Sequence, residues 1–142
     1  MSIATDFSFD FHHVGLLTAV PEKAIINLAL LGYSPTKSLF DPEQDVSLTM
    51  CEGKRDAPRI ELVTPANTNI SLSRLLHRKD DYGYHICFTV PSIGAAIKQI
   101  EAAGARFVRE VVPPKPAALF DGALVAFYLL PGIGLIELLE SK

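Results

Sequence analysis

Gly134-Leu135-Ile136-Glu137-Leu138-Leu139-Glu140 is the stretch whose reading decides the fold. Branched and long aliphatics run through it and Pro131-Gly132 marks a turn just before it, so it reads as a strand. Alternation of side chains places Leu135, Glu137 and Leu139 on one face and Ile136 and Leu138 on the other. Glu137 therefore has apolar neighbours whichever face is covered. A buried, unpaired carboxylate costs several kcal/mol, so it stays protonated or meets a cation. Glu137 is a candidate ligand or base on that ground.

An earlier copy of the same phrase strengthens the reading. Arg59-Ile60-Glu61-Leu62-Val63 repeats the Ile-Glu-Leu core, and each copy follows a histidine in a strand-like run. The first run is Phe11-His12-His13-Val14-Gly15-Leu16 and the second is Gly83-Tyr84-His85-Ile86-Cys87-Phe88. Val-Pro follows each, at Val20-Pro21 and Val90-Pro91, and then a helical segment that stops at Gly32 or Gly104. His13 to Glu61 spans 48 positions (61 − 13) and His85 to Glu137 spans 52 (137 − 85). The chain reads as one module written twice, about 9–66 and about 82–140, within a single domain over 1–142.

Composition bounds the function classes. The 142 residues are 49% hydrophobic and 20% charged, which excludes a disordered or tail-like chain and allows a sizeable core. Net charge is −3 and the basic residues are scattered; Arg78-Lys79 runs straight into Asp80-Asp81 and reads as a solvated loop. No nucleic-acid partner and no membrane association are expected, since no apolar run reaches spanning or signal-peptide length. Cys51 and Cys87 stand in apolar, strand-like surroundings and read as reduced buried thiols of a cytoplasmic protein.

In chain order, residues 1–8 read as a loose lead and about 9–19 as the first strand. Pro21, Glu22, the apolar Ala24, Ile25, Leu28 and Leu31, and Gly32 then spell a short amphipathic helix. Tyr33 to Phe40 and Val46 to Cys51 read as strands around the turn-like Asp41-Pro42-Glu43-Gln44. After the Glu61 strand, Asn67-Thr68-Asn69 is turn chemistry leading into a short helix over Ile70 to Leu76. The second module predicts a helix capped by Ser92 and ended by Gly104, and a strand over Arg106 to Val112. Pro113-Pro114-Lys115-Pro116 then reads as a stiff connection, with Pro113 to Phe120 a wall or lid, before two strands, Ala123 to Leu130 and the Glu137 strand. Each half is thus strand, helix, then three strands.

His13, Glu61, His85 and Glu137 supply two neutral nitrogens and two anionic oxygens. If the halves pair side by side, the first and last strands of each bring all four onto one concave face. A mixed nitrogen and oxygen set suits Zn, Co, Ni, Fe or Mn, whereas Ca and Mg favour oxygen alone. Four protein ligands on an octahedral ion leave two positions for substrate oxygens. Taken one at a time each residue has a plainer reading: a strand histidine held by hydrogen bonds, Glu61 as half of a surface pair with Arg59, Glu137 as an exposed strand residue. The pairwise correspondence of the four favours the metal site. His12 and His77 have no such echo and read as exposed or structural, and Cys87, two residues from His85, as packing.

With these residues in view, the chain resembles the vicinal oxygen chelate (glyoxalase/bleomycin resistance) superfamily, and within it most of all the methylmalonyl-CoA epimerases. Phe11-His12-His13-Val14-Gly15, Asp41-Pro42-Glu43-Gln44, Ile60-Glu61-Leu62-Val63-Thr64-Pro65, Gly83-Tyr84-His85-Ile86-Cys87-Phe88 and Gly134-Leu135-Ile136-Glu137 carry the resemblance, which covers about 9 to 140. It implies an α+β fold of two paired βαβββ modules forming a curved, cup-shaped mixed sheet. It implies one divalent ion (Zn, Co, Ni or Mn) held by His13, Glu61, His85 and Glu137. It also implies an epimerase or isomerase in which Glu137 takes the proton alpha to a thioester carbonyl, through a metal-stabilised enediolate. An acyl-CoA or similar thioester is then the substrate and a homodimer the assembly. One departure stands out. Some bacterial epimerases carry a second glutamate at the position that Leu48 occupies here. The same ligand set is similar to that of glyoxalase I, a lactoylglutathione lyase, although the chain has no tryptophan and no arginine-rich opening strand. A ring-cleaving dioxygenase would need only three of the four ligands, and a metal-free drug-binding relative would have lost them.

Overall fold

The computed structural model describes residues 7–78, 81–103 and 108–141, the side chains of 77, 78 and 81–84 excepted. The chain divides into two compact units, one over His13–Tyr84 and one joining the residues up to His12 to those from His85 onward. Each is built on the same plan.

In the first unit, β1 (Asp10–Thr18) leads to α1 (Pro21–Leu30), then to β2 (Ser34–Pro35), β3 (Leu39–Asp41), β4 (Val46–Glu52), β5 (Arg59–Pro65) and α2 (Ile70–Arg78). The strand order is β2-β4-β5-β1, with β3 also on β4; β5 runs parallel to β1 and antiparallel to β4. Pro21 opens α1, where its missing N–H costs nothing, and Gly32 at φ +93° closes it. Tyr33 N–H donates to Leu28 O at 2.9 Å across that close. Leu28 packs with Cys51 and Leu62 on the helix side of the sheet, with Leu16 and Ile60 beside them. Asn69 Oδ1 accepts from Leu72 N–H and caps α2, while its amide donates to Gln44 O and Asp45 O, fixing this helix to the turn after β3.

In the second unit, β6 (Asp81–Val90) leads to α3 (Ile93–Ala102), β7 (Arg109–Ala117), β8 (Ala123–Leu130) and β9 (Gly134–Glu140). The order is β6-β9-β8-β7, with β9 again parallel to the unit's first strand and antiparallel to its hairpin partner. Ser92 Oγ accepts from Ala95 N–H, and Glu140 Oε2 accepts from Ile93 N–H at 3.0 Å, so the end of β9 helps to cap α3. Val90, Ile93, Ala96, Ala126, Ile136 and Leu138 form the core under that helix. The α+β class with a mixed sheet in each βαβββ module is therefore as expected.

Three expectations are corrected. Tyr33 to Phe40 is not one strand: Pro35 has no N–H for the ladder, and hydroxyls bridge the gap between β2 and β3, Thr36 Oγ1 donating to Met50 O and Ser38 Oγ meeting Thr49 Oγ1 at 2.7 Å. The run Pro113-Pro114-Lys115-Pro116 is not a connection between strands but lies inside β7. That strand stands at the sheet's edge, and its register shifts between Glu110 and Val112 and between Val112 and Lys115, where prolines are tolerated. The lead is not wholly loose, since Phe7 and Phe9 pack against the core under α3, their rings 5.0 Å apart. The Gly104 stop, Arg106 at the head of its strand, the Lys79-Asp80 part of the charged loop and the His77 side chain lie outside the described residues.

Candidate metal and proton-transfer site

Each sheet has two faces, and the candidate residues fall on the one without the helix. In the first unit β1 pairs β5 with His13 opposite Arg59 and Gly15 opposite Glu61. Glu61 thus sits opposite the residue two beyond the histidine. In the second unit β6 pairs β9 with Cys87 opposite Glu137, and Cys87 is likewise two beyond His85. The repeat in sequence is a repeat in register.

His13 is fully buried and Glu61 is 3% exposed, with His13 Nε2 3.5 Å from Glu61 Oε1. His85 (4%) and Glu137 (2%) form the matching pair at 3.1 Å between Nε2 and Oε1. This burial overturns two of the plainer readings: Glu137 is not an exposed strand residue, and Glu61 is not half of a surface pair. Arg59 pairs with Glu52 at 3.1 Å instead. Glu137 has Phe127 directly across on β8, and the Phe127 ring stands edge-on to His85 at 5.3 Å. Cys87, fully buried, packs with Val125, Leu139, Ala117 and Ala123, as the packing reading expected.

Buried His–Glu pairs are weak devices for stability, because two polar groups lose their water for one contact. They are good donor sets. Each pair offers an imidazole nitrogen and a carboxylate oxygen close together, the mixture that suits a borderline divalent ion.

On the same face of the first unit, apolar residues lie across from and beyond Glu61. Met50 lies opposite Glu61, and Leu48, 2% exposed, lies opposite Val63. Among the described residues Asp41 is the other buried acid of that unit, and its carboxylate is engaged by the turn: it accepts from the Glu43 and Gln44 N–H groups and from Gln44 Nε2. The turn-like reading of Asp41-Pro42-Glu43-Gln44 agrees with this role, though not with the burial of Asp41, which a turn motif does not signal. His12 is half-buried, its ring edge-on to Phe120 at 5.3 Å.

Residues 12–127 match the family described as the glyoxalase/bleomycin resistance protein/dioxygenase superfamily. The chain belongs to this superfamily. Solved structures agree on the fold. Methylmalonyl-CoA epimerase from Mycobacterium tuberculosis superimposes with a TM-score of 0.78 at 19% identity, over 100% of this chain and 93% of that one. A hypothetical protein from Bacillus halodurans gives 0.75 at 24%, over 95% and 96%. A variant of the Streptomyces coelicolor methylmalonyl-CoA epimerase, in complex with 2-nitronate-propionyl-CoA, gives 0.73 at 20%, over 95% and 99%. No curated protein matches the chain in sequence. Among the described residues no helix of this superfamily member is long and apolar enough to cross a membrane.

Proposed function

We infer that the two His–Glu pairs are halves of one divalent-metal centre and that the chain is an enzyme of epimerase or isomerase type acting alpha to a thioester carbonyl. The observation that carries this is the equal register of two buried pairs, His13 with Glu61 and His85 with Glu137, in two modules of a superfamily member. When bound, a divalent ion supplies Lewis-acid polarisation of a carbonyl, which acidifies the adjacent C–H. His13, His85, Glu61 and Glu137 would hold it, with two negative charges from the glutamates offsetting its own.

Glu137 would serve as the base. Its carboxylate takes the proton as the C–H bond breaks, and the bonding pair moves into the carbonyl system; return of the proton to carbon completes the cycle. Phe127 lies across from Glu137 on β8, and the carboxylate is in a dry setting. Leu48 offers no second carboxylate, so Glu137 is the one base of this reading: return of the proton to the face it left gives exchange alone, and epimerisation requires the mobile proton to reach the opposite face of the planar carbon. An acyl-CoA is the substrate class of this reading, supported by the fold shared with methylmalonyl-CoA epimerases.

The leucine also favours a second reading. A glyoxalase-type lyase shifts a proton between adjacent carbons of a glutathione hemithioacetal, and one carboxylate is enough for that. Incubating the metal-loaded protein in heavy water separates the two. Deuterium entering the alpha position of methylmalonyl-CoA supports the first; turnover of the methylglyoxal–glutathione adduct without such exchange supports the second. Neither reaction, with metal bound, would contradict both.

A further inference from the structure

Away from the His13–Glu61 face, on the helix side of the same unit, a cavity of about 820 Å³ opens between α1, α2 and the ends of β1 and β5. That volume is in the range of small-molecule sites. Its lining divides by chemistry. Leu16, Leu28 and Leu76 make an apolar wall, and Thr18, Thr64 and Ser73 present hydroxyls.

Two features select the charge of an occupant. Among the described residues Lys23 is the one charged residue of this lining, so their electrostatic preference is for an anion. Thr18 is 2% exposed; its Oγ1 accepts from Val20 N–H at 3.3 Å, and its own proton has no acceptor among the described residues. That hydroxyl proton is available to an acceptor in the cavity.

We propose that this cavity is a binding site for an amphiphilic monoanion, a medium-chain carboxylate whose head group is held by Thr18 and Lys23 and whose chain lies against Leu16, Leu28 and Leu76. It is separate from the metal centre, since Leu16 and Thr18 alternate with the face that His13 occupies on β1.

Calorimetric titration of the whole chain with octanoate, octanol and acetate tests it. Octanoate should saturate at one per chain, with octanol and acetate each weaker by about tenfold or more, because each lacks one half of the recognition. Lys23→Gln, on an exposed side chain, and Thr18→Val, which keeps the shape, should each weaken octanoate several-fold without changing circular dichroism. No saturable octanoate binding overturns the proposal, as does binding that Lys23→Gln leaves unchanged. Octanol binding as tightly as octanoate would overturn the anionic assignment, and acetate binding as tightly would overturn the apolar one.

Discussion

Glu137 carries the proposed chemistry on a side chain that is almost without solvent. A general base typically contributes about 10² to 10⁴ in rate, so Glu137→Gln should fold normally yet lose alpha-proton exchange by at least about a hundredfold. Full exchange in that variant, followed by proton NMR in heavy water, would remove Glu137 as the base. Cys51 makes a prediction of another kind. Burial, and then the neighbouring Glu52 charge, push its thiol above the ordinary value of 9.0. The folded chain therefore keeps this proton where the unfolded chain has lost it. Its contribution to stability is whole below the ordinary value and falls as pH rises from there toward the folded value. Urea midpoints should drop between pH 8 and pH 10, and Cys51→Ala should flatten part of that slope; an unchanged slope would refute the assignment. The paired histidines and glutamates were legible in the sequence because the Ile-Glu-Leu phrase occurs twice behind a histidine. Burial was argued for Glu137 from its apolar neighbours but not settled, since a strand with one acid among aliphatics is compatible with either face being wet.

At the level of elements, local chemistry decided what could be read. Pro21 and Gly32 bracket α1, and Ser92 caps α3, because proline, glycine and serine act through their own backbone or hydroxyl and need no tertiary partner. Ser92→Ala should cost about 1 kcal/mol in denaturant unfolding, less whatever Glu140 compensates at the same helix end. The proline-rich β7 escaped such reading: proline is a breaker in isolation, and only the edge position with its register shifts makes it admissible in a sheet. Tyr33 to Phe40 failed for the complementary reason, since a β-like composition cannot supply the N–H that Pro35 lacks. Gly53, in the polar connection between β4 and β5, is constrained by tertiary neighbours. A Cβ there would fall 2.6 Å from the Ala57 Cβ and 3.0 Å from the Tyr33 ring. Gly53→Ala should therefore destabilise by about 1–3 kcal/mol through overpacking, measured by thermal unfolding. A neutral result would mean that the connection between β4 and β5 shifts freely.

For the molecule as a whole, repetition is the organising fact. Two modules with the same strand pairing present the same His–Glu pair at the same register, and neither pair alone has enough ligands for a catalytic ion. A shared ion is the reason proposed for both halves burying acids that would otherwise destabilise them. The cavity behind the first unit was not legible at all, because it arises from the spacing of α1 and α2 and from no motif. If one ion joins the two pairs, its binding should raise the unfolding temperature, and a chelator should lower it, by mass action on the folded state. The most direct test is the metal content per chain after dialysis against mixed divalent ions, for the wild type and Glu61→Ala side by side. The account predicts close to one ion in the wild type and far less in the variant, with circular dichroism unchanged. A wild type that retains no ion, or a variant that retains as much as the wild type, would contradict it.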